Sequence, residues 1–228
     1  MVVVVAVQTS SFYKMHLKVL SVQYGMVVAM DIPFTRIQCP NFLHEVLPLT
    51  RGKKVLAVKY GEKDSNGYFQ GTSYYRVPKA TETVLLDTMR IPLEYRYAFE
   101  IFLFVANRKE IPPHIDSNMR VTLNMYLKTS GASTTRFYKK LVDGGPRDKI
   151  ENQTDGYMLD PSTLEETHSF VAREGEAWIL DIKQPHSVMC ETSDMRVAFS
   201  LQSEILSYSD MVNLVVKQFN VALECART

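Results

Sequence analysis

The segment HIDSNMRVTLNMYL, residues 114–127, combines a candidate metal-binding triplet with a run of strand-like sequence. Residues two apart in a β-strand point to the same face, so His114 and Asp116 can reach one metal ion without backbone strain. Taken alone, an HxD triplet is common by chance, and a surface pair at the end of a loop is the simpler interpretation. The rest of the chain therefore decides whether the triplet indicates a metal site.

The run that follows the triplet alternates strictly. Apolar side chains occupy positions 121, 123, 125 and 127, and Thr122, Asn124 and Tyr126 lie between them. This period of two predicts a strand with one apolar face and one more polar face. The more polar face is the one able to line a binding cavity, which makes Tyr126 and Asn124 candidates for ligand contact.

Short segments of strand-like composition recur along the chain, separated by turn-forming residues. They are residues 1–30, 53–60, 95–105, 134–139, 175–180 and 196–201. Two amphipathic helices are also predicted, one over residues 80–90 with Val84, Leu85 and Met89 on one face, and one near the chain end capped by Ser209. The pattern predicts a mainly β fold with added helices, of the jelly-roll type.

No repeat, low-complexity tract or linker divides the chain, so a single domain, residues 1–228, is predicted. Residues 1–94 would supply supporting strands and a helix, residues 95–206 the β core, and residues 207–228 the closing helix. The polar stretch 141–168, punctuated by Gly-Gly-Pro and Asp-Pro-Ser, is interpreted as a long hairpin or a lid.

Composition narrows the classes of function. The 228 residues carry 26 Lys and Arg against 25 Asp and Glu, so the formal net charge of +1 is no strong signal for nucleic acid. Three cysteines without a CxxC pair suggest free thiols in a reducing compartment. The apolar start, residues 1–7, is too short for a membrane span and lacks the basic segment of a signal peptide. A cytoplasmic protein without a membrane partner is predicted, and the oligomeric state stays open.

A second histidine and an arginine follow the triplet at a suggestive spacing. His186 comes 70 residues after Asp116, and Arg196 begins a new apolar strand ten residues later. Two imidazoles and one carboxylate can bind one face of an Fe(II) ion and leave the other face open. A guanidinium inside a small barrel needs an anionic partner, and arginine can bind a carboxylate through two parallel hydrogen bonds. A dicarboxylate co-substrate would supply that anion.

Two stretches resemble the prolyl-4-hydroxylase-like branch of the 2-oxoglutarate/Fe(II)-dependent dioxygenases. The first is HIDSNMRVTLNMYLKTSGASTTRFYK, residues 114–139, which is similar to that family's HxD segment, R-x-x-T-x-x-M-Y-L strand and G-G-x-T-x-F strand. The second is GEAWILDIKQPHSVMCETSDMR, residues 175–196, which is similar to its G-x-A strand, its distal histidine and a basic residue ten positions on.

The resemblance implies a double-stranded β-helix, a cupin-like jelly roll, with three Fe(II) ligands: His114, Asp116 and His186. It also implies that Arg196 pairs with the far carboxylate of 2-oxoglutarate and that Tyr126 and Thr135 line the same pocket. Asn124 is a further candidate for contact with the co-substrate, and Arg120 for substrate binding or a structural salt bridge. With O2 as the second co-substrate, such an enzyme hydroxylates a C–H bond of a peptidyl residue such as proline, or of a small molecule, and releases succinate and CO2.

Two other classes of function stay open. A cupin-type metalloenzyme that does not use 2-oxoglutarate would more often bring three histidines and a glutamate. A non-catalytic β-sandwich binding protein would have no need for a buried guanidinium ten residues after a ligand-like histidine. Arg196 therefore favours the dioxygenase.

Overall fold

The computed structural model describes residues 32–37, 46–51, 55–63, 65, 69–107, 109–116, 118–129, 133–141, 147–149, 156–192 and 195–225. The strands predicted within residues 1–30 lie outside these ranges. Every strand and helix of the described ranges belongs to one compact unit, residues 33–228. The domain boundaries predicted from sequence stay a prediction.

Antiparallel strands dominate the described residues, in agreement with the recurring strand-like segments. The strands in these ranges are β1 (Phe34–Ile37), β2 (Val55–Lys63), β3 (Phe69–Arg76), β4 (Glu100–Ala106), β5 (Glu110–Asp116), β6 (Val121–Lys128), β7 (Ser133–Lys140), β8 (Arg147–Lys149), β9 (Gly156–Leu159), β10 (Leu164–Ala172), β11 (Ala177–Leu180), β12 (His186–Met189) and β13 (Arg196–Ser203). The helices are α1 (Lys79–Thr88), α2 (Tyr208–Cys225) and three short 3-10 helices, Leu47–Thr50, Leu93–Ala98 and Pro161–Thr163. No helix in the described part is both long and apolar enough to cross a membrane.

The strands form two sheets whose order defines the fold. The first sheet has the order β1-β11-β6-β13-β4-β3-β2, and the second has the order β10-β7-β12-β5-β9-β8. From β4 to β7 the chain passes back and forth between the sheets, and from β10 to β13 it does so again. The central strands therefore form a double-stranded β-helix, as predicted. Strands β2 and β3 extend the first sheet beyond β4, and β8 and β9 extend the second beyond β5.

The core between the sheets is a cluster of buried side chains drawn from both of them. Its members are Tyr126, Phe137, Phe170, Ala172, Leu180, Ile182 and Ala198. Phe34 of β1 packs against the cluster, with its ring centre 4.7 Å from that of Phe170 and 5.6 Å from that of Phe137. Burial of one large apolar side chain contributes about 1.5–3 kcal/mol, so this cluster is a main source of stability.

Strand β6 alternates as predicted, but both of its faces are buried. Tyr126 lies in the cluster between the sheets, whereas Leu123 and Met125 are fully buried on the opposite face of the first sheet. Helix α2 contacts β1 and β11 of the same sheet and buries Met211 and Val215. The face of β6 that carries Tyr126 therefore points into the interior, where a ligand cavity can form.

The strand predicted over residues 95–105 is wrong in its first half. Leu93–Ala98 form a 3-10 helix, and β4 begins after it. Pro92, at the start of this helix, has a φ of −59°, a value suited to a helical turn. Arg96 pairs with Asp87 of α1, which holds the turn against that helix.

Helix α1 is confirmed, but its buried face differs from the predicted one. Leu85 and Met89 are fully buried, whereas Val84 is 37% exposed and Leu86 is buried instead. Successive helical residues are about 100° apart around the helix axis. Because Leu86 rather than Val84 is buried beside Leu85, the buried face is rotated by a large angle from the predicted one.

Helix α2 begins at Tyr208, so its cap is Ser207 and the predicted cap, Ser209, is wrong. The Ser207 hydroxyl accepts a hydrogen bond from the Asp210 N–H at 3.1 Å, and the Ser207 N–H donates to the Asp210 carboxylate at 3.0 Å. The Ser207 hydroxyl and the Ser207 N–H both donate to the Asp210 carboxylate, and these two hydrogen bonds lower the pKa of Asp210. A serine with an acidic residue three positions later can form this reciprocal cap. Ser207 meets this condition because Asp210 supplies the carboxylate, which favours Ser207 over Ser209 as the cap.

The stretch 141–168 does not form one long hairpin. Strands β8 and β9 pair with each other, and β9 pairs with β5 at the edge of the second sheet. The end of the stretch belongs to a core strand, β10, which pairs with β7. Glu165 and Glu166 make β10 look polar, but they pair with Lys139 at 2.8 Å and Arg136 at 3.6 Å. The lid function predicted for residues 141–168 stays a prediction.

Candidate metal centre

Two histidines and one aspartate from neighbouring strands converge beside the core. His114 of β5 lies opposite His186 of β12 in the sheet, with ring centres 4.2 Å apart. Asp116 Oδ1 lies 4.0 Å from His114 Nε2, and its Oδ2 lies 3.9 Å from His186 Nε2. The three candidate ligand atoms all lie within 4.8 Å of one another. Because metal–ligand bonds to nitrogen and oxygen are about 2.0–2.2 Å long, small side-chain rotations would bring all three onto one ion.

Hydrogen bonds to main-chain carbonyls orient both imidazoles. His114 Nδ1 lies 2.8 Å from the carbonyl oxygen of Pro112, and His186 Nδ1 lies 2.9 Å from that of Gln184. A carbonyl oxygen only accepts, so Nδ1 carries the proton in each ring and Nε2 presents its lone pair. This arrangement is typical of histidines that bind metal ions.

The environment of the group favours ligand binding on one side. Burial lowers the pKa of His186 to about 3, and repulsion from His114 acts in the same direction, so the ring is neutral and able to bind metal near pH 7. The exposed fraction of the side chain rises from 7% for His186 through 15% for His114 to 32% for Asp116. The group is therefore closed on the side of the core and open on the side of Asp116.

A buried arginine lies between the sheets. Arg196, at the start of β13, is 3% exposed, and its Cζ lies 4.7 Å from the ring centre of Tyr126. Among the described residues, its Nε and Nη1 find no hydrogen-bond acceptor. A cation–π contact contributes about 1–2 kcal/mol, which is less than the several kcal/mol that removing a cation from water costs. The guanidinium therefore fits an anionic ligand.

Two buried hydroxyl groups from opposite sheets also lack a hydrogen-bond partner among the described residues. Tyr126 of β6 and Thr135 of β7 are almost fully buried, and within the described ranges neither side-chain oxygen has a hydrogen-bond partner. Leaving a buried hydroxyl unsatisfied costs about 1–3 kcal/mol. Thr135 lies opposite Val188, two residues after His186 on β12. One cation and two hydroxyls thus line the interior near the His-Asp-His group, a donor set suited to a carboxylate.

The two weaker candidates lie in different places. Asn124 is on the same face of β6 as Tyr126 and accepts a hydrogen bond from Thr122 Oγ1 at 3.2 Å. Arg120 is exposed, and its charge adds to the hydrogen-bond effects that lower the pKa of Asp210 at the start of α2. The charge of Arg120 therefore acts on the helix start, and both alternatives for Arg120, substrate binding and a structural salt bridge, stay predictions.

Sequence reasoning misses a polar network on the inner face of the first sheet. Thr122 Oγ1 lies 2.9 Å from Ser200 Oγ on the adjacent strand β13, and Gln202 Nε2 donates to Ser200 Oγ at 3.2 Å. The signal is the alternation of β13, in which Ser200 and Gln202 are two apart. Only the pairing of β13 with β6 brings them beside Thr122.

Comparisons with known proteins find similar structures. No family model matches the chain, and no curated protein does. The structure of E. coli ycfD is 10% identical, with a TM-score of 0.43, over 78% of this chain and 48% of that chain. The epimerase SnoN, in complex with Fe3+, alpha ketoglutarate and nogalamycin RO, is 14% identical, with a TM-score of 0.45, over 75% and 78%. A prolyl hydroxylase in complex with a hypoxia inducible factor peptide fragment, from Trichoplax adhaerens, is 13% identical, with a TM-score of 0.42, over 75% and 83%.

These likenesses concern the fold alone, and this chain spans about half the length of the E. coli protein. The strand order identifies the class without them: the chain is a double-stranded β-helix protein. Inside this fold a group that could bind a metal ion lies near a buried cation without a described hydrogen-bond acceptor at Nε or Nη1.

Proposed function

We propose that this protein is an Fe(II)- and 2-oxoglutarate-dependent dioxygenase that hydroxylates a C–H bond. The observation that carries the proposal is the buried Arg196 guanidinium, whose Nε and Nη1 find no acceptor in the described residues, near a His-Asp-His group. A cation in this position costs stability unless an anion binds it. A purely structural β-sandwich has no use for such a charge.

The donor set selects the metal. Two imidazole nitrogens and one carboxylate, with an open side, are the combination used by non-haem Fe(II) oxygenases. His114, Asp116 and His186 would hold the ion through Nε2, a carboxylate oxygen and Nε2. When bound, Fe(II) with 2-oxoglutarate and O2 supplies the oxidising power for hydroxylation, and 2-oxoglutarate is converted to succinate and CO2.

The remaining residues bind and orient the co-substrate. Arg196 would pair with its far carboxylate, and the Tyr126 and Thr135 hydroxyls would donate hydrogen bonds to the same group, which would satisfy atoms that otherwise lack partners. Asn124, on the inner face of β6, would contact the co-substrate nearer the metal. The aromatic core beside His186 excludes water from one side of the site, which strengthens these charged contacts.

The substrate is proposed from the sequence resemblance alone. A peptidyl residue such as proline comes first, and a small molecule is the alternative. The metal group is most exposed at Asp116, so the substrate would approach from that side. A panel of proline-containing peptides and small metabolites, each tested for stimulation of succinate release, would distinguish the two.

Spectroscopy and product analysis test the proposed function. Metal-free protein titrated anaerobically with Fe(II) and 2-oxoglutarate is expected to give a weak visible charge-transfer band, and admission of air is expected to release succinate. His114→Ala should abolish the band. Arg196→Ala should retain metal binding but weaken 2-oxoglutarate binding about 100-fold or more, the equivalent of the 3–5 kcal/mol lost when one partner of a buried charge pair is removed.

The same experiment separates the alternatives. Metal binding that does not respond to 2-oxoglutarate would favour a cupin-type metalloenzyme, and absence of metal binding would favour a β-sandwich binding protein. Arg36→Ala is the matched control for Arg196→Ala, because Arg36 is a half-exposed arginine that pairs with Glu176 at 3.0 Å. It should leave the band and the succinate yield unchanged.

A further inference from the structure

The turn between β11 and β12, residues 181–184, is organised by one carboxylate. Asp181 Oδ1 accepts a hydrogen bond from the Lys183 N–H at 3.2 Å, and Oδ2 accepts one from Gln184 Nε2 at 3.1 Å. The Gln184 N–H also donates to the Asp181 carbonyl at 3.3 Å, which closes the turn. The Asp181 side chain thus holds both the main chain of the turn, at Lys183, and the side chain of Gln184.

The same turn contacts two of the three candidate metal ligands. The Gln184 carbonyl accepts the hydrogen bond from His186 Nδ1 at 2.9 Å. The Ile182 carbonyl accepts from the Asp116 N–H at 3.2 Å, and Lys183 Nζ donates to the Asp116 carbonyl at 3.2 Å. The conformation of this short segment therefore determines how the His186 ring is aimed and where the end of β5 lies beside it.

The turn is anchored to elements outside the two ligand strands. The Asp181 N–H donates to the Pro33 carbonyl at 2.8 Å, directly before β1. Thr35 of β1 is in turn 2.6 Å from the Tyr208 hydroxyl at the start of α2. Burial raises the pKa of Tyr208 to about 12, and the negative charge of Asp181 also raises it, so the carboxylate lies within electrostatic range of that contact. The turn thus has a fixed support from β1 and α2.

We propose that Asp181 is a positioning residue for the metal centre, acting through the Gln184 carbonyl on His186 and through the same turn on Asp116. This inference rests on the proposed metal-dependent function. Without the Asp181 carboxylate the turn loses two hydrogen bonds, and the Gln184 peptide is then free to rotate away from His186 Nδ1. Loss of a group that orients a metal-binding histidine typically lowers metal affinity 10- to 100-fold.

Cobalt binding to the full chain tests the proposal without requiring a substrate. Metal-free protein is titrated with Co(II), and the visible absorption of the bound ion gives both the Kd and the band position. Asp181→Ala should raise the Kd about 10-fold or more and shift the band, because the geometry around His186 changes. Asp181→Asn keeps one acceptor oxygen for the Lys183 N–H, so it should give an intermediate Kd.

Asp160→Ala is the matched control. Asp160 organises another turn in the same way, accepting from the Ser162 N–H at 2.9 Å and from the Ser162 hydroxyl at 2.7 Å, and none of its described contacts is with the candidate ligands. Its removal should leave the Co(II) Kd and band unchanged. The melting temperature of each variant without metal separates loss of stability from loss of ligand positioning.

Each outcome decides the inference. If Asp181→Ala lowers the melting temperature but leaves the Co(II) Kd and band as in the natural chain, Asp181 is only structural and the proposal is overturned. If Asp181→Ala does not fold, Gln184→Ala, which keeps the main-chain carbonyl, and Asp181→Asn carry the test, and an unchanged Kd in both overturns it. If the unmodified chain shows no Co(II) band that His114→Ala removes, the metal-dependent function itself fails, and the inference fails with it.

Discussion

The two ends of the candidate site differ in how completely the protein satisfies its own polar groups. At the metal end, the ring Nδ1 atoms of His114 and His186 each have a carbonyl acceptor. At the inner end, the hydroxyls of Tyr126 and Thr135 and two nitrogens of Arg196 have no partner among the described residues. The metal end is preorganised by the chain, whereas the inner end needs a ligand before its polar atoms are satisfied.

This difference has an energetic consequence. Unsatisfied buried donors lower the stability of the ligand-free protein by about 1–3 kcal/mol each, and more for a charged group. A carboxylate ligand that accepts hydrogen bonds from these donors recovers that free energy. The hydrogen bonds that are missing in the ligand-free protein therefore strengthen ligand binding. Substitutions at the inner end should therefore affect stability and binding in opposite directions, whereas substitutions in satisfied networks should lower stability.

The largest effect is expected for Arg196→Met. Affinity for 2-oxoglutarate, measured by the anaerobic band, should fall about 100-fold or more because the charge pair is lost. The free energy of unfolding of the metal-free protein in denaturant should stay the same or rise by about 1 kcal/mol, because a buried charge is removed. A marked loss of stability would mean that the protein itself supplies an anionic partner, and the comparison between the two ends would break.

A smaller effect is expected for two threonine substitutions of the same shape. Thr135→Val removes a hydroxyl without a described partner, so stability should rise by up to about 1 kcal/mol while 2-oxoglutarate affinity falls about 10-fold. Thr122→Val removes a hydroxyl that lies 2.9 Å from Ser200 Oγ, so stability should fall by about 1 kcal/mol. Denaturant unfolding of both variants measures the sign of each change in stability. Changes of the same sign would contradict the assignment of unsatisfied polar groups to the inner end.

The smallest effect is expected for Tyr208, which supports the turn at the metal end, and it concerns the free energy of unfolding at high pH. The pKa of Tyr208 is raised to about 12, chiefly by burial, from an ordinary value near 10. Its stabilising contribution is therefore complete below about pH 10 and is lost as the pH rises through about 12, because the unfolded chain releases the proton more easily. The free energy of unfolding should fall more steeply between pH 10 and 12 for the natural chain than for Tyr208→Phe. Parallel curves would show that the hydroxyl is solvated.

Local patterns predicted most of the strands that carry the site. The alternation over residues 121–127 predicted β6 and its inward face, because the period of a strand depends on the chain's own geometry. The same local reasoning was wrong for the first half of residues 95–105, where aromatic composition suggested a strand. There Pro92 and the contact between Arg96 and Asp87 decide in favour of a 3-10 helix, and that contact joins separate segments.

The candidate site also contains residues that could be predicted from the sequence and one that could not. His114, Asp116 and His186 could be selected by residue type and spacing, and the structure brings them within reach of one ion. The role of Asp181 could not be predicted in this way, because an aspartate before a lysine and a glutamine is an ordinary turn signal. Its importance depends on which carbonyls the turn presents to His186 and Asp116, which sequence spacing does not reveal.

The sequence by itself predicted strands β6, β7 and β13, the identity of the candidate ligands and the presence of a charge that an apolar strand would bury. Each of these follows from short-range chemistry, in which a residue's neighbours set its backbone and its face. The tertiary structure decided that the Arg196 guanidinium lies against the Tyr126 ring, and that among the described residues Nε and Nη1 of Arg196 and the hydroxyls of Tyr126 and Thr135 have no hydrogen-bond partner. This outcome depends on the packing of strands far apart in the chain, because hydrogen bonds are satisfied or left open only when such strands pack together.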